Sequence, residues 1–282
     1  MTGRDLTKRA ARRSTEAPVR LVAGVFQRWA VFVVCVLVWQ ALTAYYDDTY
    51  FPTPVEIVRK MHELWFSGPA GHLFLTKVAI DDILPSLGRL LGGWAIGGVI
   101  GAVLGMLLGR SKTGLDYAGA VINFGRALPA PALLPVFLVL FKIGTPVQLA
   151  TIVFGVVWPV LLNTVQGAQS IDQVQLDTAR AFGIRPVRRL RSVVLPATLP
   201  KIFSGLRIAL GLSLVLMVIS ELVGATNGIG YQFQLASQSF DLPAVWAWIA
   251  LLGILGNLLN WLFLIVERRV LSWHREAAKQ GE

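Results

Sequence analysis

Apolar runs long enough to cross a bilayer alternate along this chain with short polar, mostly basic segments. A helix needs about 20 apolar residues to span the hydrocarbon layer. The pattern predicts spans at roughly 29–46, 86–108, 116–141, 147–167, 201–222 and 244–266. The expected fold is therefore all-α, a polytopic membrane bundle of about six transmembrane helices. The third span is the least regular. It holds Pro129, Pro131 and Pro135 and should be kinked or broken, which a membrane tolerates only where freed backbone groups face protein or a water-lined cavity. The second carries Gly93, Gly97, Gly101, Gly105 and Gly109, a stripe that lets another helix approach closely.

Shorter periodicities add detail. Pro54 to Phe66 places Val55, Val58, Met61, Leu64 and Trp65 at helical spacing, which predicts an amphipathic helix on the membrane surface or against the bundle. The segment from Ser170 to Pro200 predicts a helix–turn–helix elbow. Ser170 with Gln173 reads as a capping box. Gly183 supplies a left-handed stop after Phe182. Pro186 suits the first turn of a second helix, and Pro196 is expected to close it.

Composition agrees with the membrane reading. Of 282 residues, 55% are hydrophobic and only 15% charged, against roughly 25% in a soluble domain. The formal net charge of +10 could suggest nucleic-acid binding, but the basic residues lie in patches between apolar spans, so no nucleic-acid partner is expected. Their distribution sets an orientation. With the N-terminus inside, the cytoplasm receives Arg4, Lys8, Arg9, Arg12, Arg13, Arg20 and Arg28, then Arg110 and Lys112, the basic elbow, and Arg268, Arg269, Arg275 and Lys279. Both termini are then cytoplasmic and the elbow faces the cytoplasm, while Arg59, Lys60, Lys77, Arg89 and Lys142 fall outside. The first apolar run exceeds the roughly 7–15 residues of a signal-peptide core, and no Ala-x-Ala site follows, so it reads as a retained helix.

Enzyme chemistry finds no support. Cys35 lies within an apolar run and reads as a small buried residue. His62 and His72 are isolated. Gly109 to Thr113 lacks the spacing of a phosphate loop. No cofactor, metal or catalytic residue is expected.

Charge and capping alone leave the elbow evenly balanced between a lipid-headgroup-binding loop and a docking site. Its residues go further. Asp177-Thr178-Ala179, then Gly183, then Val193-Val194-Leu195-Pro196 resemble without a gap the cytoplasmic signature of binding-protein-dependent ABC transporter permeases. That signature is E-A-A, three residues, G, nine residues and I-x-L-P. The chain has Asp177 where the family has Glu, Thr178 for Ala and Val193 for Ile. The resemblance implies that Asp177, Thr178, Ala179, Phe182, Gly183, Leu195 and Pro196 dock a separate ATP-binding ABC subunit as a coupling helix, with Arg185 to Arg191 open between lipid and ATPase contact. Phe51 to Val58, Ser86 to Arg89, Arg126 to Pro129 with Leu134-Pro135, and Glu221 with Thr226 to Tyr231 look like the sulfonate, nitrate and taurine branch.

The resemblance implies a type I importer permease that moves a small, anionic, sulfonate-, taurine- or nitrate-like solute by alternating access. Its partners would be an ATPase, an external substrate-binding protein, a second copy of the permease and membrane lipids. ATP hydrolysis would belong to the partner. Expected boundaries are a basic cytoplasmic tail at 1–28, a first helix and external loop at 29–84, a permease core at 85–268 with the elbow at 170–196, and a cytoplasmic tail at 269–282. The location is the bacterial inner membrane. Pathway candidates are Arg126, about 15 Å along the third span, Pro129, Glu221 and Asn227. Arg126 reads either as a partner for carbonyls freed by Pro129 or Pro131 or as an electropositive element for an anion. Glu221 suits an ion pair or a gate-closing hydrogen bond. Arg207 is expected to snorkel to headgroups, and Trp246, Trp248, Trp261 and Trp273 to anchor at interfaces. A permease for a pyrimidine precursor and a secondary carrier are the competing readings, the latter disfavoured because no inverted repeat is evident.

Overall fold

A computed structural model describes residues 30–46, 49–69, 71 and 74–273. The basic tail at 1–28, His72 and the residues after Trp273 lie outside the described residues. Among those described, the regular elements are helices. They are α1 (Ala30–Tyr46), α2 (Pro54–Trp65), α3 (Leu84–Gly109), α4 (Lys112–Ala127), α5 (Leu134–Phe141), α6 (Thr145–Gln169), α7 (Gln173–Ala181), α8 (Pro186–Arg189), α9 (Leu195–Gly224), α10 (Ile229–Gln238) and α11 (Leu242–Val270).

Four helical stretches are long and apolar enough to cross a membrane: Ala79–Gly109, Thr145–Gln169, Pro186–Gly224 and Leu242–Val270. The third expected span is two helices, α4 and a stretch from Ala130 through α5, which meet at 85°. Counted as one, they make a fifth span, and α1 is a shorter apolar helix. The expected six segments are thus all helical but not six full-length spans. The break falls at the prolines, where Leu128 and Pro129 take extended backbone and Ala130–Leu133 form a single 3₁₀ turn.

The core is a three-helix layer of α3, α6 and α9. The glycine stripe of α3 makes it possible. A Cβ at Gly101 would lie 2.7 Å from the Val157 carbonyl oxygen, and one at Gly105 would lie 2.7 Å from that of Leu161. Only a hydrogen at these positions lets the backbones meet this closely. Ile152, Val156 and Val160 fill the seam from the α6 side and are fully buried.

α2 lies against the bundle. Thr53 and Glu56 form its capping box. Trp65 is buried with its ring 5.2 Å from that of Trp248 on α11, and Lys60 pairs with Asp241 at 2.8 Å. Trp248 is therefore a core residue and not an interfacial anchor. Trp246 donates to the Tyr50 carbonyl at 3.2 Å, which ties α11 to the segment before α2.

Other expectations are corrected. Pro196 does not close the second elbow helix. Leu190–Val194 form a π turn in which the Leu195 N–H reaches back to the Leu190 carbonyl. The chain then continues into α9, and Pro196 sits in its first turn, where a missing N–H costs least. α8, the turn and α9 make one helix of 39 residues. Arg207 is paired with Glu267 of α11 and is not left to headgroups alone. Cys35 is exposed on the surface of α1, because no described helix covers that face.

Candidate functional site

The two ends of the bundle carry different devices. At one end the elbow projects from the core. Asp172, not Ser170, caps α7: its carboxylate accepts from the Val174 N–H at 2.9 Å. Ser170 instead ends α6, its hydroxyl donating to the Gly167 carbonyl at 3.0 Å. α7 stops as the sequence predicts. Gly183 has φ +66, its N–H donates to Arg180 at 2.9 Å, and the Ile184 N–H donates to Ala179 at 3.0 Å. These two bonds are a Schellman motif, closed by a residue without a Cβ.

α7 is seated by its underside. Leu176 and Ala179 are buried, with Ile171 and Val194 beside them and Met106 of α3 packed against the cluster. Ala179 is mostly covered, yet it lines the concave surface beside α7. The outer side presents Asp177, Thr178 and Phe182, the last 82% exposed. Asp177 pairs with Arg180 at 2.7 Å. A concave surface of about 770 Å³ runs beside them, lined by Thr178, Phe182, Ile184, Pro196 and Trp273. Gly183 and Leu195 flank the same elbow and are exposed. The predicted docking residues thus fall at one end of one structure, with Ala179 the most covered of them.

At the opposite end a buried polar clamp joins α3, α9 and the segment before α10. Glu221 is fully buried near the end of α9. Its Oε1 accepts from Arg89 Nη1 at 2.8 Å and its Oε2 from the Gly230 N–H at 2.9 Å. The Ser86 hydroxyl lies 2.8 and 2.9 Å from the two carboxylate oxygens. Arg89 also donates to the Asn227 carbonyl at 3.0 Å and to its side-chain oxygen at 2.5 Å. Asp82 accepts from the Gly228 N–H and from Gln232 Nε2, each at 2.8 Å. Gly228 adopts φ +123, and a Cβ there would lie 2.5 Å from Glu221 Oε2. The loop of Asn227 and Gly228 is thus held by both neighbouring helices.

The four pathway candidates divide into two pairs. Glu221 and Asn227 meet in the clamp through Arg89. The carboxylate has no exposed surface, so it lines no cavity in this conformation. Arg126 and Pro129 flank the α4–α5 break. The Arg126 guanidinium is exposed and donates to Asn123 at 3.2 Å, so it does not serve the carbonyls freed by the prolines. A Cβ on its neighbour Gly125 would meet the ring of Trp158, halfway along α6. Arg126 therefore sits at mid-depth on an uncovered face.

Sequence reasoning missed Asp82, Ser86 and Arg89 as site residues and placed Arg89 among external charges. A signal existed. The three residues lie four and three positions apart, a polar stripe on one face of an otherwise apolar helix.

Fold and site together define a multi-pass membrane protein with a seated elbow at one end and a buried polar clamp at the other. The family of the binding-protein-dependent transport system inner membrane component matches residues 97–272. The putative aliphatic sulfonates transport permease protein SsuC of Bacillus subtilis (strain 168) is 30% identical over 95% of this chain and 95% of its own. The taurine transport system permease protein TauC of Escherichia coli (strain K12) is 30% identical over 80% and 81%. The nitrate import permease protein NrtB of Leptolyngbya laminosa is 29% identical over 96% and 98%. An inward-facing structure of the MetNI methionine ABC transporter shares the fold, with a TM-score of 0.59 at 22% identity over 68% of this chain and 96% of that one.

The chain belongs to the family of binding-protein-dependent transport system inner membrane components. It is the membrane-embedded permease subunit of an ABC importer, an integral inner-membrane protein that works with an ATP-binding subunit and a substrate-binding protein. It is not itself an enzyme, and ATP is hydrolysed on the separate subunit.

Proposed function

We propose that two copies of this chain form the pathway of an importer for a small oxoanion-bearing solute, with both termini and the elbow in the cytoplasm. The relatives named for sulfonates, taurine and nitrate support that substrate class, since these solutes share a sulfonate or nitrate group. The transport core runs over 85–268, preceded by the first helix and outer loop at 29–84, between tails at 1–28 and 269–282. Alternating access follows: ATP-driven closure of the partner draws the two elbows together, and the 39-residue helix of each elbow carries the movement to the other end.

The docking surface is Asp177, Thr178 and Phe182 on α7, with Gly183, Leu195 and Pro196 shaping the elbow and Ala179 seating it. The observation that carries this reading is the seating itself. α7 is fixed by a cap, a Schellman stop and a buried underside, yet leaves Phe182 82% exposed. A large apolar side chain held rigidly in water fits a partner's groove. Phe182→Asp should abolish co-purification of the ATP-binding subunit without changing membrane insertion, whereas Arg188→Gln should leave it intact. Retention of the subunit by Phe182→Asp would overturn the docking role.

The second copy has its own support. α4 leaves Tyr117, Val121 and Phe124 exposed within the protomer, and Arg126 with them. A guanidinium at mid-depth is poorly suited to lipid tails. A facing copy across a wet cavity accommodates both the apolar residues and the charge.

A further inference from the structure

We propose that the groove between the elbow end of α3 and the α8–α9 junction binds one anionic phospholipid of the cytoplasmic leaflet. The proposal rests on the orientation given above. The groove has a volume of about 460 Å³. Its walls include Val103, Met106, Leu107 and Leu190, with Val103 53% and Leu107 64% exposed. Arg110 and Arg191 line the same groove. Arg110 ends α3 and has one long contact, to the Ala168 carbonyl at 3.4 Å. The Arg191 guanidinium has no partner among the described residues.

This combination selects its occupant. An apolar trough at a helix end suits an acyl chain, which water would not fill favourably. Two guanidinium groups beside it suit a phosphate, whose oxygens accept paired, charge-assisted hydrogen bonds. Both halves of a phospholipid are thus matched by residues lining one groove. The chain's own N-terminal tail is a poor competitor. It brings Arg4, Lys8, Arg9, Arg12, Arg13, Arg20 and Arg28 against only Asp5 and Glu16, so it repels the two arginines.

The role follows from position. The groove bridges α3, which belongs to the core, and the π turn, where the elbow joins α9. A bound lipid would brace that joint beside Met106, which also packs against the cluster under α7.

The test uses the full permease–ATPase complex in detergent, titrated with phosphatidylglycerol, phosphatidylcholine or inorganic phosphate, with bound lipid counted by native mass spectrometry. Phosphatidylglycerol should be retained at one molecule per permease chain, and phosphatidylcholine should not. The R110Q/R191Q double variant should retain it at least about tenfold less well, since charge-assisted bonds are lost. Leu107→Trp, which fills the trough and keeps both arginines, should do the same. Equal retention by these variants, equal retention of phosphatidylcholine, or displacement of the lipid by inorganic phosphate would each overturn the proposal. ATPase co-purification, scored in the same samples, reports on the docking surface separately.

Discussion

Glu221 shows what a buried charge requires of its neighbours. Its carboxylate has no exposed surface and is held by Arg89, Ser86 and the Gly230 N–H. Removing one member of such a pair strands the other, at a cost of about 3–5 kcal/mol, whereas replacing both with apolar groups of similar volume is often mild. Arg89→Ala and Glu221→Ala should therefore each lower the unfolding temperature in detergent well beyond the Arg89→Met/Glu221→Met double variant. Additive losses in the double variant would show that the pair is not coupled. Gly228→Ala should be destabilising as well, because its φ of +123 and its contact with Glu221 leave no room for a methyl group. At this scale the sequence was half legible. Glu221 and Asn227 stood out as polar residues beside an apolar span. Arg89 did not, because its partner lies 132 residues away, and the stripe it forms with Asp82 and Ser86 marks a shared face without naming what that face meets.

At the scale of elements, stops were easier to read than starts. Gly183 is the residue in its neighbourhood that takes a left-handed turn without strain, and it does so. The start of α7 was read from Ser170 alone, and hydrogen-bond bookkeeping in three dimensions moves the cap to Asp172. Ser170 is occupied in closing α6, so Asp172 caps α7. Asp172→Ala should thus cost about 1 kcal/mol locally and raise amide hydrogen exchange across Gln173–Ala181, while Ser170→Ala should leave that exchange unchanged. The reverse result would restore the capping box. Pro196 shows the opposite limit. A proline usually marks a boundary, yet here a π turn supplies the altered hydrogen-bond register, and the helix passes through. Val194, the last residue of that turn, is buried with Ile171 and Leu176 under the elbow.

At the scale of the molecule, the positions of the apolar segments and the break at the prolines were legible, because hydrophobic length and proline geometry are local properties. How the segments meet was not, except for the glycine stripe that seats α3 on α6. The break at α4–α5 matters most for transport. It turns the chain by 85° at half the depth of α6 and leaves Arg126 exposed beside it. In a single span a kink could be a packing accident. Here the same position also carries a guanidinium whose one side-chain bond, to Asn123, spans a single helical turn and contributes nothing to holding α4 against α6. Arg126→Ala should therefore leave assembly with the ATP-binding subunit and the unfolding temperature near those of the parent. Uptake of an oxoanion into reconstituted vesicles should fall by about tenfold, the scale of one lost charge-assisted contact. Arg126→Lys should recover part of it, because a point charge replaces the fork but not its geometry. Normal uptake by an assembled Arg126→Ala complex would remove Arg126 from the pathway, and the uncovered face of α4 would then have to be explained by contact between copies alone.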